Sequence, residues 1–187
     1  TAIKGYASLL LERSYGDFPL AIKDPLEKIA ESSRLMINSI EDFLNISRIE
    51  LGRMSYDMSK VDLTDLTKKV VNELSAVAIK KGLTLTFAQP NSSHIVTADL
   101  GKIKQVITNF IDNAIKYTEH GTIDVSLAED VAMGNVRIVI KDTGVGMSKE
   151  TIANLFEKFT RARGASKINA TGTGLGLFVA KQLVEIP

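Results

Sequence analysis

Residues 103–117 combine the marks of a packed helix with a row of polar chemistry. Ile103, Val106, Ile107, Phe110 and Ala114 recur at intervals of three and four and form an apolar stripe, while Asn109, Asn113 and Lys116 share a second face. Such a helix must lie on a core by one side and present two amides and an ammonium on the other. Two glycine-rich segments follow, Asp142-Thr143-Gly144-Val145-Gly146 and Gly172-Thr173-Gly174-Leu175-Gly176-Leu177. The fold therefore has to gather three separated parts of one nucleotide site.

Ahead of that helix the chain changes texture once. Ile3, Tyr6, Leu9 and Leu10 keep helical spacing up to the turn Ser14-Tyr15-Gly16-Asp17-Phe18-Pro19. Asp24 is then expected to cap a second helix, with Pro25 at its first position and Glu27 completing a capping box, and Gly52 ends it. Leu26, Ile29, Met36, Ile37, Ile40, Phe43, Leu44 and Ile49 leave an apolar stripe that a lone antiparallel hairpin cannot cover. Pairing residues 1–52 with a second copy into a four-helix bundle buries it; packing on the rest of the same chain is the alternative.

From residue 53 a second domain is expected, running to 187. Met54, Tyr56 and Met58 alternate as a strand, Asp62 caps a helix ending at Lys80-Lys81-Gly82, and Leu83, Leu85 and Phe87 give the next strand. A short strand at Ile95-Val96 precedes the helix of residues 99–118, and strands at 121–127 and 135–141 follow it. Helices and strands mix without regular alternation, which predicts an α+β fold whose mixed sheet carries helices on one face. His94 and His120 both read as exposed turn residues.

Bulk properties narrow the partners. A net charge of +1 offers no field suited to nucleic acid or a membrane surface, and no apolar run approaches the roughly 18 residues that span a bilayer. Zero cysteines exclude disulfide and thiolate chemistry. The start at Thr1-Ala2-Ile3-Lys4 carries no signal peptide and is expected to be a cut inside a longer protein.

Each part of the site has its own chemistry. Asn113 offers a neutral carbonyl oxygen, a hard ligand for Mg²⁺ held mostly by phosphates and water. Lys116 supplies a point charge for phosphate oxygens. Asp142 ends a strand before Gly144 and Gly146, so backbone can approach a flat ring while the carboxylate accepts from an exocyclic amino group, which fits adenine better than guanine; a plain turn after an edge strand is the alternative. Phe156 and Phe159 have core spacing, or anchor the base of a loop. Residues 161–171 are polar and aperiodic, a lid in character, and the glycines at 172, 174 and 176 open a helix whose first N–H groups suit polyphosphate. Neither a dinucleotide fingerprint nor a P-loop has its required context here.

In this order, Asn109 to Tyr117 resembles the N box, Asp142 to Gly146 the G1 box, Phe156 to Phe159 the F box and Gly172 to Leu177 the G2 box of bacterial sensor histidine kinases. The resemblance implies the ATP-binding α/β sandwich shared with gyrase, Hsp90 and MutL, preceded by a dimerisation and phosphotransfer hairpin. It assigns Mg²⁺ to Asn113, adenine to Asp142, Gly144 and Gly146, phosphate to Lys116, and the nucleoside to Tyr117. Gly172, Thr173, Gly174, Leu175 and Gly176 go to the lid, with Arg161 as a further phosphate contact. Catalytic roles fall to Asn109 and Lys116. Where related ATPases place a water-activating glutamate, Asn109 is an amide and no general base, which favours phosphoryl transfer over hydrolysis. The implied activity is ATP-dependent phosphorylation of a histidine, then transfer to an aspartate of a response regulator receiver domain, in the cytoplasm. Membrane anchorage would come only through other segments.

The acceptor histidine of that family is expected upstream of Thr1, since Thr1-Ala2-Ile3 matches only the tail of its box, and the C-terminus is expected to lack a final pair of strands. Two competing functions are a Hsp90- or MutL-like ATPase and a non-catalytic dimeric ATP-sensing scaffold.

Overall fold

A computed structural model of the protein describes residues 2–130, 134–160 and 174–185. Its contacts divide the chain into two compact units, Thr1–Met54 and Ser55–Pro187.

The first unit consists of α1 (Ala2–Leu11) and α2 (Leu20–Glu50), which pack on each other. Between them the chain turns through Arg13 and Gly16, both at positive φ, and Ser14 N–H donates to the Leu9 carbonyl at 2.9 Å. Contrary to the capping box read at Asp24, α2 starts at Leu20 behind the extended Pro19, with Ile22 N–H on the Pro19 carbonyl at 2.9 Å. Pro25 sits inside the helix, where it removes a single ladder bond near the N-terminus, and Asp24 instead pairs with Lys28 at 2.8 Å. At the far end Gly52 adopts φ 62°, Gly52 N–H reaches the Ile49 carbonyl and Arg53 N–H the Arg48 carbonyl. This doubly bonded stop is a Schellman motif. Ala7, Leu26, Ser33 and Ile46 are buried, whereas Ile3, Tyr6, Met36, Ile40 and Phe43 stand more than half exposed.

The second unit is a two-layer α/β structure. β1 (Met58–Asp62) pairs antiparallel with β3 (Ile95–Asp99), from Met58 opposite Asp99 to Asp62 opposite Ile95. A separate mixed sheet has the order β2 (Leu83–Ala88), β4 (Gly121–Asp130), β5 (Asn135–Asp142), with β2 parallel to β4 and β4 antiparallel to β5. Residues 54–57 precede β1, so the predicted strand begins later than its alternation suggested. Each strand of the small pair feeds a helix through an aspartate cap. Asp62 accepts from the N–H groups of Thr64 and Asp65 at the head of α3 (Leu63–Lys80), and Asp99 accepts from Lys102 N–H at the head of α4 (Leu100–Tyr117).

Alternation then decides the layers. Ile123 and Val125 of β4, with Leu83 of β2, face Val70, Val71, Ile107 and Ile111 of the helices in one core, and Val136, Ile138 and Ile140 of β5 pack against it. Thr86 and Asp124 belong to the outer face, joined by a hydrogen bond of 2.6 Å. Helices thus cover one face of the sheet, as predicted. Each fully buried Ile or Val of this core contributes roughly 1.5–3 kcal/mol relative to exposure.

At the head of α4 a polar clamp secures the entry to β1. Asp99 accepts from Asp57 N–H at 2.9 Å and from the Lys102 ammonium at 2.8 Å, and Lys102 also donates to the Ser55 carbonyl at 2.6 Å and lies 4.7 Å from the Tyr56 ring centre. Among the described residues, no helix is long and apolar enough to cross a membrane.

Candidate functional site

The polar face of α4 lies between two glycine-rich turns. On one side is the turn after β5. Asp142 Oδ1 accepts from Gly144 N–H at 2.8 Å, which fixes the carboxylate, and Val145 N–H donates to the Tyr117 carbonyl at 3.2 Å. Gly144 is required there by space. A Cβ would collide with the Tyr117 carbonyl oxygen and lie 2.8 Å from Asp142 Oδ1 and 2.9 Å from Thr118 Oγ1. Thr143 fastens the turn to β4 from the other direction, its hydroxyl accepting from Thr122 N–H at 3.0 Å.

On the other side is α6 (Gly176–Val184), which packs on α4 with Val179, Ala180 and Leu183 buried. Asn109 donates through Nδ2 to the Gly176 carbonyl at 3.2 Å. Gly174, at φ 71°, brings the chain so close to the end of the preceding segment that a Cβ would lie 2.9 Å from both the Phe159 carbonyl carbon and the Thr160 carbonyl oxygen. Before that point runs α5 (Lys149–Ala153), capped by Ser148.

Of the residues singled out in the sequence, Asn109, Asn113, Lys116 and Tyr117 are all half-buried along α4. The structure brings Asn109 to Gly176, and Tyr117 to Gly144 and Asp142. Lys116 pairs with Asp112 at 2.5 Å, a half-buried i, i+4 ion pair on the surface of the helix. Among the described residues, the Asn113 side chain makes no hydrogen bond, so its oxygen is available to a metal. No group of three acidic or histidine side chains that could hold an ion gathers among those residues. A single amide ligand fits Mg²⁺ that keeps phosphates and waters as its other ligands. Leu175 is buried beside the start of α6 and Gly146 is left-handed at φ 65°. Arg161, Gly172 and Thr173, and the expected lid, lie outside the described residues.

Two expectations need correction. His94 is buried at 6% exposure, not a surface turn residue: its Nδ1 lies 3.1 Å from Thr64 Oγ1 and its Nε2 3.1 Å from Glu129 Oε1. The strand β3 and the head of α3 close over it, with Leu63 N–H on the His94 carbonyl at 2.9 Å. Phe156 and Phe159 are not core residues either. Phe159 is 70% exposed at φ 60°, and Phe156 presents its ring 5.6 Å from the Lys181 ammonium. His120 is exposed as predicted.

Thr118 escaped the sequence reading. Its buried hydroxyl adjoins Gly144 and has no hydrogen-bond partner among the described residues. A threonine following an amphipathic helix carries no signal of this in the sequence.

Residues 98–186 match the family described as histidine kinase-, DNA gyrase B-, and HSP90-like ATPase. The sensor histidine kinase GacS of Pseudomonas protegens is 34% identical over 98% of the chain, and hybrid signal transduction histidine kinase L of Dictyostelium discoideum 31% identical over 98%. The chain spans only 20% and 11% of the length of these relatives. Among solved structures, full-length ShkA in complex with AMPPNP aligns with a TM-score of 0.71 and 26% identity, over 97% of this chain and 36% of that one. Residues 98–186 thus carry a domain of that family's type, and the relatives that match nearly the whole chain are sensor and hybrid histidine kinases.

Proposed function

We propose that the chain is the catalytic core of a dimeric, cytoplasmic sensor histidine kinase. Residues 53–187 bind Mg·ATP, and the γ-phosphoryl passes to a histidine and then to an aspartate of a response regulator receiver domain. Residues 1–52 form the dimerisation and phosphotransfer helices. The carrying observation is that both glycine-rich segments bond to α4, Gly176 through its carbonyl on Asn109 Nδ2 and Val145 through its N–H on the Tyr117 carbonyl. ShkA holding AMPPNP supports ATP as the nucleotide.

In this reading the Asp142 carboxylate accepts from the adenine amino group, and the missing side chain of Gly144 admits the ring. Lys116 exchanges Asp112 for phosphate oxygens. Mg²⁺, held by Asn113, neutralises phosphate charge when bound. Asn109 cannot take a proton from water, so bound ATP persists until a better nucleophile arrives. Catalysis rests on positioning and charge neutralisation. The exposed apolar stripe of α1 and α2 supports pairing with a second copy.

Titration of a fluorescent ATP analogue into Asp142→Asn and Asn113→Ala, with and without Mg²⁺, tests the assignment. Asp142→Asn should lose about tenfold or more in affinity under both conditions, the scale of a hydrogen bond to a charged group. Asn113→Ala should lose affinity chiefly when Mg²⁺ is present. Equal losses in both variants under both conditions overturn the roles given to these residues.

A further inference from the structure

The C-terminal turn of α4 carries two of the proposed nucleotide contacts, Lys116 and Tyr117, and its backbone cannot secure itself. A helix leaves its last carbonyls without partners from its own ladder. Thr118 N–H serves the Ala114 carbonyl at 3.1 Å, and the carbonyls of Ile115, Lys116 and Tyr117 remain. Tyr117 receives Val145 N–H from the turn after β5. The other two are both taken by one side chain of a different helix: Lys81 Nζ donates to the Ile115 carbonyl at 2.6 Å and to the Lys116 carbonyl at 2.8 Å.

Topology explains how Lys81 reaches them. It is the C-cap of α3, and Gly82 at φ 76° turns the chain directly into β2. β2 pairs in parallel with β4 starting at Leu83 opposite Gly121, so the turn from α3 to β2 lies beside the turn from α4 to β4. An ammonium with three donors is suited to that place, since it satisfies two carbonyls and meets the negative end of the α4 macrodipole.

We infer that Lys81 is a positioning residue of the nucleotide site: its ammonium fixes the backbone of residues 115–117 and thereby aims Lys116 at the phosphates. This rests on the ATP-site reading above. Lys81 touches no nucleotide itself.

The test is a double-mutant cycle on the full chain, read as the dissociation constant of a fluorescent ATP analogue in Mg²⁺. Lys81→Met keeps the apolar stem and should weaken binding about fivefold to tenfold, while Lys81→Arg stays within about twofold of the parent. Lys104→Met, which breaks a surface pair with Glu73, is the control for losing one exposed charge and should leave binding unchanged. If Lys81 acts through Lys116, adding Lys81→Met to Lys116→Met weakens binding by no more than about twofold further. Should Lys81→Met fail to fold, Lys81→Gln takes its place in the cycle. Parental affinity in the Lys81 variant, or losses that multiply in the double variant, overturn the inference while leaving the ATP site standing. Parental affinity in Lys116→Met overturns both.

Discussion

Replacing Asp99 with asparagine removes one charge from the clamp at the head of α4 and changes little else in shape. The side chain is 12% exposed. Burial by itself raises its pKa, but hydrogen bonds from the Lys102 ammonium, from Asp57 N–H and from Lys102 N–H, with the attraction of Lys102, outweigh burial and hold it at about 2 against an ordinary 3.8. The folded state therefore prefers the ionised form by about 2 kcal/mol. Because the folded pKa is depressed, this stabilisation is present above pH 4, is about half lost at pH 3 and is gone below about pH 2. Asparagine still caps the helix, so the loss reports the charge rather than the cap. Urea denaturation, followed by nuclear magnetic resonance of β4 amides so that only the second unit is read, should show Asp99→Asn less stable by about 2 kcal/mol at pH 7. The deficit should shrink to about half that at pH 3. Other carboxylates titrate in both proteins and cancel in the difference. A deficit that does not change between pH 7 and 3, or one below about 0.5 kcal/mol at pH 7, refutes the electrostatic account.

Removing residues 1–52 should convert a dimer into a monomer, because the exposed stripe through Met36, Ile40 and Phe43 is the proposed interface; sedimentation showing an unchanged dimer places the interface elsewhere. Incubation with γ-labelled ATP should leave no acid-labile, base-stable phosphate on this chain, since both ring nitrogens of buried His94 face partners and His120 lies outside the helical unit. Strong labelling abolished by His94→Ala or His120→Ala contradicts the phosphotransfer scheme. Ile111→Ala, at the centre of the core, should destabilise the second unit by about 2–5 kcal/mol in the same urea assay. A cost under 1 kcal/mol there would mean that α4 does not seat as described.

The features legible in the sequence are those whose cause is local. Asp62 announces its helix because a cap acts on N–H groups two or three residues away. Asn109 and Asn113 share a face because helix geometry alone dictates it. Asp24 misled because a capping box is a permission rather than a command: Leu20 to Ile22 extend the helix backward, and Pro25 costs one bond. His94 follows two serines and reads as a wet turn, yet it is buried by Thr64 and Glu129, 30 and 35 residues away in sequence. Lys81 illustrates the same limit at the site. Its charge suits the end of its own helix, so nothing in the local pattern reveals that it serves the end of the next one.

The close approach at Gly174 bears on how such a site can change over time. Thr160 and Gly174 meet backbone to backbone, with no room for a side chain at the glycine. The entropic cost of joining two points of a chain grows only with the logarithm of the number of residues between them, about 0.6 kcal/mol for each doubling. The joint between Asn109 and Gly176 therefore tolerates a change in that number, provided the glycine is kept. What must be preserved is the meeting point itself, not the distance along the chain that separates its two sides.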